Sequence, residues 1–396
     1  MTALSPRTPR SLPAFPSTPA SGPAPSSSRR RAISTAIAAA TAAAIAVLQI
    51  GLAGCGRHAE ADALAASPSF TVTAQTSGTT ALLQAVSVVD SNVVWVSGHQ
   101  GTYARTTNGG ATWHAAVVPG ADSLQFRDVH AVDSSTAYLM SAGDGTLSRI
   151  YKTSDGGATW RLQFTNQVPK GFFDCMAFWD PEHGVVMSDE VGGRFPMVAT
   201  EDGGRSWRPI AADALPPALP GEGSFAASGT CVITRANGHA WIGTGNSSQA
   251  RVLHTADGGR SWSAVVTPLP SAEGVGIASV AFRDDRHGVV MGGSMMDTSA
   301  RVDNVAFTSD GGKSWTVVGR APFRSAIYGG SYVPGAEAPT LVAVGPGGAA
   351  ASFDDGRNWV TFDTSAYWSV GFASPRAGWA VGPRGRIDRL ALSPAR

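Results

Sequence analysis

The chain has little of what several kinds of site and partner require. Charged residues make up 15% of its 396 residues and the formal net charge is +1, so nothing indicates a nucleic-acid partner. Outside one N-terminal segment, no apolar run approaches the roughly 18 residues that span a membrane. There is no Gly-x-Ser-x-Gly nucleophile elbow, and the Gly-rich strings lack the helix that completes a dinucleotide site. We therefore expect no cofactor.

Histidine and cysteine give no metal signal. The 8 histidines are scattered singly, with no pair at ligand spacing and no cysteine partner, so we predict no metal site. His183 and His287 each precede a glycine in a polar stretch, which indicates a role in a turn. The 3 cysteines are Cys55, Cys175 and Cys231.

The one long apolar run lies near the N-terminus. Arg29–Arg31 precede an Ala/Ile/Val/Leu-rich stretch from Ala32 to Leu52, which ends in the string Leu-Ala-Gly-Cys at Cys55. This order of basic, apolar and small residues is that of a signal peptide. Its ending resembles a bacterial lipobox, which implies a lipoprotein signal peptide within residues 1–54, a lipidated Cys55 and a tether over residues 55–68. An ordinary signal peptide and a signal anchor are the alternatives.

A short turn motif is repeated six times along the rest of the chain. Its consensus is Ser/Thr-x-Asp/Asn-x-Gly-x-Ser/Thr/Asn-Trp, as in Thr308–Trp315. The Asp or Asn side chain can accept backbone N–H groups and close a turn, and Asp-Gly favours the positive φ angles of hairpins. The Trp then starts a strand and buries a large apolar surface. The third position of the motif is occupied by Asn108, Asp155, Asp202, Asp257, Asp310 and Asp354.

The spacing of the turn motifs predicts the architecture. Successive motif Trp residues lie 44 to 55 residues apart, a period typical of propellers or solenoids. With strands named A to D in chain order, six units are complete at about 82–118, 124–166, 172–212, 224–268, 275–320 and 324–363. Residues 367–392 hold A, B and C strands without a motif, and Phe70–Thr73 offers the missing D strand. We predict an all-β, seven-bladed β-propeller over residues 69–396, closed by its N-terminal strand. A six-bladed ring is the alternative.

Strand direction alternates within a blade, so the B–C loops and the starts of the A strands share the face opposite the turn motifs. Binding residues on rigid scaffolds usually lie in loops. The predicted ligand-binding residues there are Gln84, His99, Arg127, Arg194, Arg324 and Arg386, since arginines can grip carboxylate or phosphate in bidentate fashion. The candidate catalytic carboxylates are Asp174, Asp189 and Glu190. Alternatively, Arg127, Asp174 and Arg324 form a structural ion-pair ring around a wet channel.

Cys175 and Cys231 fall in adjacent repeats. In an oxidising envelope they could form a disulfide, and two buried thiols are the alternative.

The turn motif resembles the Asp-box, or BNR repeat, of sialidase-like propellers, in which it is structural. In layout, residues 70–392 are similar to the seven-bladed propellers of the photosystem II stability/assembly factor group. That resemblance implies a chaperone-like, protein-binding role through an arginine surface at Arg127, Arg324, Arg384 and Arg386. Sialidases carry Arg-Ile-Pro before the first Asp-box, whereas here the nearest string, Arg194-Phe195-Pro196, lies in the third repeat.

These observations predict an exported, lipid-anchored and non-catalytic propeller. We expect a monomer that acts as a binding or assembly scaffold for an envelope protein or glycan, on the periplasmic side of a membrane. The alternative is a glycoside hydrolase that uses two channel carboxylates, which need a pocket and a separation of roughly 5 to 9.5 Å.

Overall fold

The computed structural model describes residues 68–299 and 301–393, and its regular structure there is almost entirely β. Seven four-stranded antiparallel sheets form the blades of a propeller, as predicted. Two single-turn 3₁₀ helices, Gly145–Leu147 and Ala212–Ala214, lie in loops. None of the described residues forms a helix long and apolar enough to cross a membrane. Cys55 and nearly all of the predicted signal peptide and tether lie outside the described residues, so those predictions stay predictions.

Blades 1 to 6 each consist of four consecutive strands, with strand A innermost. Blade 1 has β2 (Leu83–Val88), β3 (Val94–Gly98), β4 (Thr102–Thr106) and β5 (His114–Val117), and blade 2 has β6 (Phe126–Ala131), β7 (Ala137–Ser141), β8 (Arg149–Thr153) and β9 (Arg161–Thr165). Blade 3 has β10 (Phe173–Phe178), β11 (Gly184–Ser188), β12 (Val198–Thr200) and β13 (Arg208–Pro209), and blade 4 has β14 (Val232–Thr234), β15 (Ala240–Gly243), β16 (Arg251–Thr255) and β17 (Ser263–Val266). Blade 5 has β18 (Val275–Phe282), β19 (Gly288–Ser294), β20 (Val305–Thr308) and β21 (Thr316–Gly319), and blade 6 has β22 (Gly329–Tyr332), β23 (Leu341–Gly345), β24 (Gly348–Ser352) and β25 (Val360–Asp363).

The seventh blade joins the two ends of the described chain. It contains β26 (Ser369–Ser374), β27 (Ala377–Val381), β28 (Ile387–Ser393) and the N-terminal strand β1 (Ser69–Gln75). Strand β1 pairs with β28 along its whole length, from Ser69 opposite Ser393 to Gln75 opposite Ile387. This pairing confirms the predicted closure and excludes the six-bladed alternative.

Two A strands start later than predicted. The fourth blade was expected from about residue 224, but β14 begins at Val232. Arg324 was expected to begin the sixth A strand, but β22 begins at Gly329, so Arg324 lies in the connection before it. In both places, residues taken for strand are loop residues on the face where consecutive blades connect.

Each turn motif is closed by the same hydrogen bonds. In the fifth copy, the Thr308 hydroxyl donates to Asp310 and accepts the backbone N–H of Gly312, while Asp310 accepts the backbone and hydroxyl groups of Ser314. The first hydroxyl bonds to the third and fifth positions in the other five copies too. In the third copy, the hydrogen bond from the Ser206 hydroxyl is the main cause that lowers the pKa of Asp202 to about 2. These side chains hold turns.

The turn motifs also fasten neighbouring blades together. The Tyr138 hydroxyl of blade 2 donates to the Gly203 carbonyl in the motif of blade 3, at 2.7 Å. The Trp241 indole of blade 4 donates to the Gly311 carbonyl in the motif of blade 5, at 2.8 Å. Aromatic rings and aliphatic side chains fill the space between these blades, and the blades therefore form one continuous ring around the channel.

Candidate functional site

The central channel is filled by a segment of blade 4. We call residues 224–230 the plug, since they leave the blade before β14 and cross the channel. From blade 1, the side-chain amide of Gln84 donates to the Ala226 carbonyl at 3.0 Å. The Ser228 hydroxyl donates to the Tyr328 carbonyl just before the inner strand of blade 6, and Ser369 of blade 7 donates to the Ser228 carbonyl. These bonds tie one short segment of blade 4 to blades 1, 6 and 7 across the ring.

Small residues allow the plug to fit. Ala226, Ala227 and Ser228 are all buried. Gly229 has a φ of +75°, and a Cβ there would collide with the carboxyl of Asp128. Asp128 is itself buried and accepts the backbone N–H groups of Val129 and Met176, and burial raises its pKa well above the ordinary value. Only glycine meets both demands at position 229, positive φ and close approach.

A disulfide anchors the end of the plug. Cys231, the first residue after the plug, is bonded to Cys175 of β10, with the two Cα atoms 6.0 Å apart. Both residues are fully buried. Blade 3 thereby holds the chain at the point where it returns from the channel to blade 4.

Three of the candidate residues occupy equivalent positions, as their alignment predicts. Gln84, Arg127 and Asp174 each lie at a register shift between the A and B strands of blades 1, 2 and 3. A bulge of this kind leaves one residue unpaired and re-aims its side chain. The three side chains gather where the plug enters the channel.

The Arg127 guanidinium is held by polar neighbours. It donates twice to the Gln125 amide oxygen, at 3.0 and 2.6 Å, and once to the Ala226 carbonyl at 3.4 Å, and it lies over the Phe172 ring. His99 lies 2.8 Å from the Gln84 amide oxygen. Burial and the Arg127 charge lower the pKa of His99 to about 4, so the ring is neutral at pH 7. This group is an organised polar lining around the plug.

Asp174 and Asp189 form a carboxyl pair beside the plug. The two carboxyls lie in hydrogen-bonding contact with each other and with the backbone N–H of Ser224, while the buried Oδ2 of Asp174 and Oδ1 of Asp189 have no partner among the described residues. Burial and the charge of Asp189 raise the pKa of Asp174 well above its ordinary value. Burial, with the charges of Asp144 and Glu190, raises the pKa of Asp189 to about 7. Two carboxyls this close must share a proton, because two adjacent buried charges would repel.

The other acidic groups of this region are already bonded. Glu190 accepts the backbone N–H groups of Gly193 and Gly221, so it shapes its loop. The fully buried Glu222 makes a bidentate ion pair with Arg251 and also accepts the Thr244 hydroxyl. No candidate carboxylate therefore faces open solvent with both oxygens unbonded.

Three arginines are exposed on the face formed by the B–C loops and the connections between blades, which we call the loop face. Arg194, Arg324 and Arg384 are solvent-exposed, and no described residue bonds to their guanidinium groups. Arg386 differs, since it is paired with Asp388 and lies over the Tyr367 ring. Arg127 and Asp174 affect each other's pKa through their charges, but no ion pair within 4.0 Å among the described residues joins either of them to Arg324.

Sequence reasoning missed the plug and Gln125. The signal for the plug is the string Gly-Ser-Phe-Ala-Ala-Ser-Gly at 223–229, which is too small and Gly-rich for an inner strand. It also missed that His239 and His254 meet across strands, with ring nitrogens 2.9 Å apart. An exposed cluster in an A–B turn consists of Asp180, Glu182 and His183. The Asp180 carboxylate accepts the backbone N–H groups of Glu182 and His183, so it closes the turn.

Comparison with known proteins supports the fold. No protein-family model matches the chain, and no curated protein matches it. Among solved structures, the chain is similar to one titled "YCF48 bound to D1 peptide", with 16% identity, a TM-score of 0.56, and coverage of 84% of this chain and 100% of that one. It is also similar to YCF48 from Cyanidioschyzon merolae, with 15% identity, a TM-score of 0.57, and coverage of 81% and 98%. At these identities the likeness concerns the fold.

Proposed function

We propose that this chain is a non-catalytic propeller that binds an envelope protein or glycan on its loop face, exported and anchored through lipid on Cys55. The observation that carries the proposal is the state of the candidate carboxyls: Asp174 and Asp189 bond to each other, and Glu190 bonds to backbone amides. Because the plug residue Ser224 lies against the carboxyl pair and backbone amides hold Glu190, these groups have no room for a substrate, which favours recognition over bond cleavage.

The exposed arginines favour an anionic or carboxylate-rich partner. Arg194, Arg324 and Arg384 lie on the loop face without intramolecular partners, and guanidinium groups bind carboxylate and phosphate in bidentate fashion. A similar fold has been solved with a bound peptide, which agrees with a protein partner. The turn motifs, as Asp-box equivalents, would serve the scaffold alone.

A glycoside hydrolase is less well supported. Retaining and inverting enzymes need two carboxyls roughly 5 to 9.5 Å apart, so that sugar or water can lie between them. Asp174 and Asp189 are in direct hydrogen-bond contact, with the plug against them. The pair lacks the space for a substrate.

The test is capture of envelope proteins and glycans by the full chain and by two matched triple variants. R194Q/R324Q/R384Q removes the loop-face charges, whereas R205Q/R260Q/R286Q removes three exposed arginines near the turn motifs. We expect a partner that wild type and the second variant retain and that the first loses at least fivefold. Equal capture by both variants contradicts the proposal, as does glycoside turnover that D174N abolishes. Release from the membrane fraction by C55A tests the anchor separately.

A further inference from the structure

A cavity of about 650 Å³ opens on the face that carries the turn motifs and the A–B turns, which we call the turn face. The inner strands β14, β18, β22 and β26 contribute to its walls, so it lies at the second mouth of the central channel. Its volume falls within the range of roughly 300–1,000 Å³ that is common for small-molecule sites. None of the residues predicted from the sequence to form a site lies in it.

The plug makes this cavity blind. Gly229 and Thr230, at the end of the plug, line it, and the Thr230 hydroxyl bonds to Ser279 of β18. The A–B turn of blade 6, residues 333–340, forms one wall, and it is the longest A–B turn of the described blades. Pro334 and Pro339 restrict the backbone of this turn. A ligand would therefore end inside the cavity rather than pass through the ring.

The interior walls carry both polar and apolar surface, and buried side chains supply the apolar part. Val280, Phe282, Val370 and Phe372 come from the inner strands of blades 5 and 7, and each is at most 8% exposed. Such walls favour the apolar body of a ligand, because its burial removes hydrocarbon surface from water.

Arg235 supplies a pre-oriented cation at the same cavity. Its Nε donates to Asp285 at 2.7 Å, and Asp285 is also held by the Asn237 amide. No described residue bonds to the two terminal amino groups of Arg235. The other lining arginine, Arg283, is by contrast engaged through all three nitrogens by Asp284 and Asp355. Arg235 thus offers two parallel N–H donors, the geometry that a carboxylate matches.

We propose that the turn-face cavity binds a small carboxylate with an apolar body. The carboxylate bonds to the amino groups of Arg235, and the apolar body packs between Phe282 and Phe372 above the plug. Glu337, on the wall formed by residues 333–340, is the acidic side chain that lines the cavity without an ion-pair partner, and it opposes the anion. This site lies on the face opposite the proposed partner surface and does not depend on it.

The probes are 4-phenylbutyrate and its uncharged amide, titrated into the full chain by calorimetry. We expect saturable binding of the acid, and binding at least tenfold weaker for the amide. R235Q should weaken binding of the acid at least tenfold, while R286Q, an exposed arginine on the same face outside the cavity, should leave it unchanged. E337Q should strengthen it, because it removes a like charge.

Three results would overturn the proposal: no saturable binding of the acid, equal binding of acid and amide, or equal binding by wild type and R235Q. Thermal unfolding of R235Q without ligand shows whether the variant is folded. If it is not, S331M supplies the second test, since Ser331 lines the cavity and a larger side chain occupies ligand space. Unchanged binding of the acid by a folded S331M would place the ligand elsewhere.

Discussion

The carboxyl pair of Asp174 and Asp189 shows how single residues set the character of the site. The two groups lie on one blade, at the bulge of β10 and just after β11, and the backbone N–H of Ser224 bonds to both. The pKa of each is raised, so the folded state binds protons that the unfolded chain releases. The pair therefore makes the protein less stable as the pH rises from about 4, the ordinary pKa of Asp, through about 7.

The variant D189N tests this linkage. Asparagine keeps the shape, donates a hydrogen bond to Asp174 and cannot ionise, so we expect its melting temperature to fall less than that of wild type between pH 5 and pH 8. At pH 8 the variant should be the more stable of the two. Asp128, and Asp174 through its burial, keep raised pKa values in the variant and leave a residual slope. Parallel melting profiles for wild type and D189N would contradict the shared proton.

The sequence predicted the alignment of Gln84, Arg127 and Asp174 because the strands around them repeat. It could not predict the contact of Asp174 with Asp189, since that depends on the path of the loop after β11. Nor could it predict that Arg127 bonds to the plug, because Ala226 carries no polar side chain and contributes through its carbonyl.

At the scale of elements, the plug replaces what would be the first part of an inner strand. Gly229 is its most constrained position, and Gly192, in the B–C loop of blade 3, offers a matched comparison. Both have positive φ, but a Cβ at Gly192 meets no atom within 4 Å. We expect G192A to cost about 1 kcal/mol from backbone strain alone, and G229A to cost about 3 kcal/mol or more because Asp128 must also move. Equal losses in chemical denaturation would show that the plug is not tightly packed.

The tryptophans of the turn motifs pack against aromatic residues within and between blades. Trp207 is 7% exposed and packs edge-on against Phe178, with ring centroids 5.8 Å apart. Its indole N–H has no partner among the described residues, so W207A removes packing without breaking a hydrogen bond. We expect a loss of about 3–5 kcal/mol in the free energy of unfolding. V360A, at an exposed strand position, serves as the control, and an unchanged melting temperature for W207A would contradict the blade packing.

At the scale of the whole molecule, the ring depends on the seam where its two ends meet. Blade 7 has no turn motif, and Gln75 at the end of β1 takes over part of its role. Its amide oxygen accepts the indole N–H groups of Trp113 and Trp379, and its amide donates to the Gly109 carbonyl in blade 1.

We expect Q75A to destabilise the protein by about 1–3 kcal/mol, because the buried Trp379 N–H loses its acceptor. The control is Q167A, since Gln167 is exposed and bonds to the nearby Thr165 carbonyl. Thermal unfolding of both variants measures the difference. If Q167A loses as much stability as Q75A, the hydrogen bonds of Gln75 at the seam contribute no more than those of an exposed glutamine.

The seven blades and their closure follow from the sequence because the turn motifs and strands recur at a regular period. The face on which the candidate residues lie follows too, from strand alternation. What the period cannot give is a departure from it: the plug at 224–230, the late start of β22 and the blind cavity on the turn face all arise where one blade differs from the rest.

The pairing of β1 with β28 also orders events in time. Ser69 is made early, yet its partner Ser393 is made after every other blade. Until β1 joins it, β28 is an unpaired edge strand of the seventh sheet. The β1 of a second copy of the chain could pair with it as readily as the β1 of the same copy. Refolding at high concentration should therefore yield strand-exchanged dimers that dilution suppresses. The strand pair that closes the ring is thus also the one that can form between two copies.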